Sequence, residues 1–323
     1  MPSHLGQRRS HELRGHCDSA TPTILKIMEF HQLRYFVEVA RQKNFSRAAE
    51  VCHVAQPSLS QQIKKLEEEL GQPLIRRSRK GAQLTEFGES MLPQALQILS
   101  GAQNMQEEAA FGKEELSGRV SIGAIPTVAP YLMPSIIREV MQQYPEIQLR
   151  VIESTTDELV AQLREGRLDC ALLSPPFDGD SEMNLSILLD DELVVVLPTV
   201  HALSTKRLLQ LRDLTDFPMV LMKDVHCLSR QSISLCEASG LKPRVSLESA
   251  QLETVVSMVE AGMGFSFVPA MARATFVHRA LSFASVAPSP VTRRISLASS
   301  KYQCLSPSQL AFGRLVETIF VDE

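Results

Sequence analysis

Two cysteines lie nine positions apart in the segment Lys223-Asp224-Val225-His226-Cys227-Leu228-Ser229-Arg230-Gln231-Ser232-Ile233-Ser234-Leu235-Cys236. Cationic neighbours favour the thiolate, the reactive form of a cysteine. His226 adjoins Cys227, and Lys223 and Arg230 are close by in sequence. A thiolate that meets a peroxide becomes a sulfenic acid, which a second thiol converts to a disulfide. In one continuous helix, residues 227 and 236 would have Cα atoms about 13 Å apart. A disulfide needs them within roughly 7 Å. Bridging this pair therefore demands a bend or local refolding, and a disulfide that remodels its own segment is a switch. Spacing alone leaves a second reading open, because free cysteines are usually small buried hydrophobes. That reading covers Cys17, Cys52, Cys170 and Cys304, with Cys170 in an apolar strand and so in the core.

No other constellation competes as a reaction centre. The chain has no zinc-type paired CxxC, no phosphate-binding Gly-rich loop, no dinucleotide fingerprint and no GxSxG elbow. His53 and His201 lack metal-ligand spacing and read as surface or turn residues. The expectation is a protein without catalytic residues, metal or cofactor, and not an enzyme.

The 323 residues suggest two or three domains. With 44% hydrophobic and 22% charged residues the composition is that of a globular protein. It excludes a disordered chain, a collagen-like repeat and a disulfide-rich scaffold. No apolar run reaches the roughly 18–20 residues of a membrane helix, so no membrane association is expected. The net charge of −4 hides a gradient. Residues 28–81 carry ten basic and six acidic side chains, and residues 91–323 carry 19 and 27. A basic front on an acidic body suggests a DNA-binding head on a regulatory unit. Residues 1–27 contain no signal-like apolar stretch and no period. The missing signal stretch leads to the expectation of a cytoplasmic protein with reduced thiols, and residues 1–27 are expected to be a disordered tail or an artefact of an upstream start codon.

The elements that position this chemistry begin at Phe30. Apolar residues at Phe30, Leu33, Phe36, Val37 and Ala40 have helical spacing. Ser46 is expected to cap a short helix over 47–52. Gln56-Pro57-Ser58 opens a third helix with Pro57 near its first position, and Leu59, Ile63, Leu66 and Leu70 line one face. This arrangement is a helix-turn-helix. Gln56, Ser58, Ser60 and Gln61 can reach base edges, and Arg47, Lys64 and Lys65 can reach phosphates. Residues 74–85 read as a two-stranded wing with Arg76, Arg77, Arg79 and Lys80 at its tip, suited to phosphates or the minor groove.

The run Asn44-Phe45-Ser46-Arg47-Ala48-Ala49-Glu50, then Gln56 to Glu67, Leu70-Gly71 and Leu84 to Gly88, resembles the winged helix-turn-helix of LysR-type transcriptional regulators. It covers some 60 residues without a gap, with Ile75 where the family usually has Phe. The resemblance implies a head over 28–86 that contacts double-stranded DNA through the residues above, Ser46 included. It also implies a linker and dimerisation helix within 87–117, a homodimer or homotetramer, and RNA polymerase as a partner.

From Gly118 strands and helices alternate, which gives an α/β fold with a mainly parallel sheet. Strands are expected at 120–125, 148–153, 168–173, 192–197 and 219–222, and helices at 130–143, 156–164 and 252–261. The order resembles the periplasmic-binding-protein-like effector domain of the same family. It implies two α/β lobes within 118–323, one over 119–195 plus 270–323 and one over 196–269, with an effector in the crevice between them.

Ser121 to Pro134, His226-Cys227-Leu228 with Gln231 and Cys236, and Leu252-Glu253-Thr254 with Gly262-Met263-Gly264 are similar to the peroxide-sensing OxyR branch of the family. By that resemblance Cys227 is peroxidatic and Cys236 resolving. Thr127 and Thr156 would hold hydrogen peroxide, and His226 would flank the thiolate. The branch usually has Arg then Asp after Cys-Leu, whereas Ser229 then Arg230 stand here. The alternative is a regulator with structural cysteines that answers to a small-molecule effector bound near Thr127. A thiol peroxidase using Cys227 and His226 conflicts with the DNA-binding head, and an exported solute-binding protein conflicts with the missing export signal.

Overall fold

A computed structural model describes residues 28–78, 81–111, 116–223 and 226–321. The head is built from α1 (Phe30–Gln42), α2 (Phe45–Cys52) and α3 (Gln56–Leu70), followed by the hairpin β1 (Ile75–Ser78) and β2 (Gly81–Leu84). Leu59, Ile63 and Leu66 of α3 are buried against Val39, Phe36, Ala48 and Leu74. Each such aliphatic side chain contributes about 1.5–3 kcal/mol on full burial. Ser46 does not cap α2. Asn44 does, its Oδ1 accepting from the Ser46 and Arg47 amides at 2.8 and 3.1 Å, so the helix starts at Phe45. Asn fits the same chemistry as Ser and sits where the chain is still extended.

Two devices fix the wing. Glu67 Oε1 of α3 accepts from the Leu74 and Ile75 amides at 2.8 and 3.0 Å. Gly81 has φ +110°, and a Cβ there would meet Lys43 O at 2.5 Å, while the next amide, Ala82 N, donates to that same carbonyl. Only glycine allows this approach. α4 (Glu86–Phe111) leaves the wing and packs Ala95, Leu92, Leu96 and Leu99 onto α1. Met105 and Ile98 of α4 remain exposed.

The effector unit contains β3 (Gly118–Ala124), α5 (Ala129–Gln143), β4 (Ile147–Glu153), α6 (Thr156–Arg164), β5 (Cys170–Leu173), β6 (Met183–Pro198), β7 (Leu208–Leu209), β8 (Met219–Met222), α7 (Cys227–Ala238), β9 (Val245–Ser249), α8 (Leu252–Glu260), β10 (Ser266–Pro269), β11 (Leu281–Val286), β12 (Thr292–Ser300) and α9 (Pro307–Val321). The sheet is mixed rather than mainly parallel. β3 pairs in parallel with β4 and β5, but β12 runs antiparallel to β5 and β6, and β10 and β11 run antiparallel to β6. β6 is 16 residues long, beginning at Met183 rather than near Glu192. Its first half is apolar but not cleanly alternating, with Met183 and Leu188 buried and Leu185 and Ile187 exposed.

β6 runs through both lobes. Its first half pairs with β12 in lobe I and its second half with β10 and β11 in lobe II. Ala272, Phe276, Ala284 and Val286 belong to the lobe II cores. Chain return to lobe I therefore falls at β12, about twenty residues after the position 270 that the sequence suggested. The crossings are the short stretches around 191–193 and 291–293, joined where Leu193 N donates to Val291 O at 2.8 Å.

Candidate functional site

α7 sits across the junction of the lobes. Its first residue, Cys227, is 5% exposed and packs in the lobe I core with Ile125, Val128 and Leu173. The next residue, Leu228, packs in lobe II with Val220 and Val256. Cys236 is fully buried in the other lobe II core, with Leu221, Phe265 and Phe267. All five described cysteines are free thiols. Because α7 is continuous, Cys227 and Cys236 are separated by the full helical rise, about 13 Å. The disulfide cannot form while this helix stands.

At the start of α6 and in and just before the first turns of α7, buried polar atoms lack partners. Thr156 is 1% exposed at the start of α6, and its Oγ1 has no hydrogen-bond partner. Its neighbour Thr155 caps that helix instead, accepting from Glu158 N at 3.5 Å. His226 precedes α7 and is 7% exposed, with an unpartnered Nε2. Burial lowers its imidazole below the ordinary value, against smaller raising effects from its hydrogen bond to the Ala250 backbone and from Glu153. Ser229 is fully buried with an unpartnered Oγ. Gln231 Nε2 donates to Ser174 Oγ at 3.1 Å, while Gln231 Oε1 is unpartnered. Ser174 directly follows β5, and Glu153 ends β4. The amino-terminal half of α7 thus faces the carboxyl ends of the lobe I strands, where α/β sheets bind ligands. Buried polar atoms without partners are uncommon and call for an explanation, such as a ligand or water that they face. Lys223 and Arg230, the cations nearest in sequence, are exposed.

Thr127 is 1% exposed and firmly held. Its Oγ1 accepts from Arg293 Nη1 at 2.8 Å and its carbonyl accepts from Nη2 at 3.0 Å. Arg293 Nε in turn donates to Asp191 Oδ2 at 2.9 Å, and Asp191 Oδ1 accepts from Met271 N at 3.1 Å. Arg293 and Asp191 are directly opposite on β12 and β6, at the crossing between lobes, with side chains 1% and 3% exposed. Sequence reasoning missed this pair. Thr292-Arg293-Arg294 reads as ordinary surface charge, and Arg294 is indeed exposed. The available signal is the i, i+1 alternation of a strand, which sends one arginine inward.

In the head, Ser46, Arg47, Pro57, Ser58, Gln61, Lys64, Lys65 and Arg76 are exposed, and Gln56 and Ser60 half-buried. Lys64 makes only a surface pair with Glu68 at 3.8 Å. Arg79 and Lys80, the Arg77 side chain and residues 1–27 lie outside the described residues. Among the described residues no cluster of His, Cys, Asp or Glu could hold a metal, and no helix is long and apolar enough to cross a membrane.

Residues 30–89 match the bacterial regulatory helix-turn-helix protein model of the lysR family, and residues 113–319 match the LysR substrate binding domain. The chain belongs to the LysR family. It is similar to the DNA-binding transcriptional dual regulator OxyR of Escherichia coli (strain K12), 34% identical over 245 residues that cover 76% of this chain and 80% of that one. Among solved structures it resembles full-length OxyR from Pseudomonas aeruginosa carrying a cysteine-to-aspartate substitution. That similarity has a TM-score of 0.69 at 31% identity, over 91% of this chain and 98% of that one. A hydrogen-peroxide-bound OxyR cysteine variant from Corynebacterium glutamicum is similar at TM-score 0.59 and 32% identity, over 92% and 95% of the two chains. A LysR-family regulator of this kind is a DNA-binding transcription factor and not an enzyme. α1 to α3 and the wing fall within the helix-turn-helix match, and the α/β unit, from β3 into α9, falls within the LysR substrate binding domain.

Proposed function

We propose that this regulator senses hydrogen peroxide through Cys227 and Cys236 and acts on oxidative-stress promoters in the cytoplasm. The observation that carries the reading is Cys227, buried at the first turn of α7 between His226 and Ser229, whose Nε2 and Oγ are buried and unpartnered. Thr127 Oγ1 accepts from Arg293, so its own hydroxyl proton is free to donate to a bound peroxide oxygen. The OxyR names carried by the relatives support the same reading.

The chemistry has two steps. The Cys227 thiolate attacks one peroxide oxygen, the S–O bond forms, the O–O bond breaks, and the departing hydroxide leaves as water after protonation. Cys236 then attacks the Cys227 sulfenic sulfur, the S–S bond forms, and the displaced hydroxide leaves as a second water. Two thiols lose two electrons, and peroxide is reduced to two waters.

The DNA contacts belong to Ser46, Arg47, Gln56, Pro57, Ser58, Ser60, Gln61, Lys64 and Lys65, with Arg76, Arg77, Arg79 and Lys80 on the wing. A homodimer or homotetramer brings two heads to two half-sites, and RNA polymerase is the partner at the promoter. The experiment is promoter footprinting of the reduced protein with and without peroxide, for wild type, Cys227→Ser and Cys236→Ser. The proposal expects a peroxide-dependent footprint change in wild type alone. An undiminished response in Cys227→Ser would instead favour a reversibly bound small molecule near Thr127.

A further inference from the structure

Between α4 and lobe I lies a concave cavity of about 400 Å³, lined by no residue of α7. Three arginines, Arg119, Arg150 and Arg167, line it. Arg119 and Arg150 come from neighbouring parallel strands. Arg119 is opposite Gln148 on β4, and Arg150 is opposite Ser121, so the two guanidinium groups project diagonally from one face of the sheet. Both residues are exposed, and among the described residues neither has an ion-pair partner. Arg167 pairs with Glu165 at 2.5 Å.

Among the described residues of the lining the one carboxylate is Asp169, and its oxygens are occupied. Oδ2 accepts from Ser121 N at 2.7 Å, and Oδ1 accepts from Gln303 Nε2 at 2.8 Å. Two cations on one face therefore look into a concave polar space in which, among the described residues, no carboxylate pairs with them. The opposite wall is α4, which is tied to lobe I here. Ser100 Oγ accepts from Cys304 N at 3.3 Å, and Asn104 Nδ2 donates to Cys304 O at 2.7 Å.

We infer that this cavity binds a small polyanion, a molecule with two or more phosphate or carboxylate groups, that bridges the linker helix and lobe I. Planar guanidinium forks take such groups in pairs of parallel hydrogen bonds. Two forks set diagonally select two anionic groups over one, and the volume exceeds what a single phosphate fills. A ligand held by lobe I and touching Ser100 or Asn104 stabilises the docking of α4. It gives the regulator an input separate from the thiols, and it stands or falls independently of peroxide sensing.

The test is calorimetric titration of the full-length protein with pyrophosphate and with citrate, at constant ionic strength and with sucrose as neutral control. Wild type, an Arg119→Ala/Arg150→Ala double variant, Gln148→Glu and Arg76→Ala are compared. Gln148→Glu keeps both arginines but introduces a competing carboxylate opposite Arg119. Saturable binding of at least one anion is expected. Both cavity variants should weaken it by about tenfold or more, while keeping the wild-type Tm without ligand, and Arg76→Ala should leave it unchanged. Binding that both cavity variants retain, or that Arg76→Ala alone abolishes, would put the anion on the DNA-binding head and overturn the inference. Absence of saturable binding up to about 10 mM of either anion would overturn it too.

Discussion

The two ends of α7 carry the same side chain in opposite surroundings. Cys227 enters the lobe I core between His226 and Ser229, each with a buried side-chain atom that has no partner. Cys236 is enclosed by Leu221, Phe265 and Phe267, and burial, aided by Glu237, pushes its thiol up to about 11. At neutral pH in this fold Cys236 is a protonated hydrophobe. A residue in that state cannot resolve a sulfenic acid about 13 Å away along a helix. Reactivity at one end therefore requires the other end to leave its core, and the helix between them is the element that must yield.

α7 is suited to yielding. Ser229, Ser232, Ser234 and Ile233 are poorer helix formers than the Leu, Glu and Lys of α3. His226 provides no side-chain cap at its start, and a capping side chain typically stabilises a helix by about 1 kcal/mol. Ser232 Oγ bonds back to Leu228 O at 2.7 Å, a contact that tends to bend helices. The helix is held by its packing rather than by its own sequence.

The largest expected effect breaks the lobe I side of the comparison. Arg293→Met leaves Asp191 buried without its cation and frees the Thr127 turn. Removing one partner of a buried pair costs about 3–5 kcal/mol, which urea unfolding will read as a lower midpoint at unchanged slope. Next, Cys236→Ala should stop oxidation at the sulfenic acid on Cys227, which a dimedone-type trap followed by mass spectrometry will detect. Its stability loss should be modest, about 1 kcal/mol, since little volume is removed from the lobe II core.

A smaller effect concerns pH. Burial holds His226 below its ordinary value, so the folded protein resists a proton that the unfolded chain accepts. Stability is therefore flat above about pH 6.5 and falls as the pH drops below it. His226→Gln should flatten part of that decline in denaturation series from pH 7.5 to 5.5, those bounds being approximate. His201, also lowered by burial, retains the remainder. The smallest effect is expected from Ser229→Ala. Deleting a buried hydroxyl without a partner should leave stability within about 1 kcal/mol, with either sign, whereas an undetected partner would make it clearly destabilising.

Much of this was legible in the sequence, for stated reasons. Leu59, Ile63 and Leu66 repeat at helical spacing because one face of α3 is buried, and α6 begins at Thr156 because Thr155 can cap it. Three things escaped. β12 escaped because its buried face includes Arg293, Ser296 and Ser300, and the first half of β6 because Leu185 and Ile187 are exposed while Leu188 is buried, so neither shows a clean period of two. The mixed sheet escaped because strand direction depends on which distant strands pair. The Arg293–Asp191 pair escaped because its members are 102 residues apart and become neighbours only when β12 and β6 align. Cys227 and Cys236 were visible as a pair, but their separation into different cores was not, since helix periodicity is silent on which lobe each end meets.

The central claim is that α7 must unwind for Cys227 and Cys236 to meet. The most direct measurement is to add equimolar hydrogen peroxide to the reduced protein, map its thiols by mass spectrometry, and follow amide hydrogen exchange across residues 226–238 over the same time course. The account predicts a rapid, specific Cys227–Cys236 disulfide together with loss of protection along α7. Slow or scattered oxidation, or a disulfide formed with α7 protection intact, would contradict it.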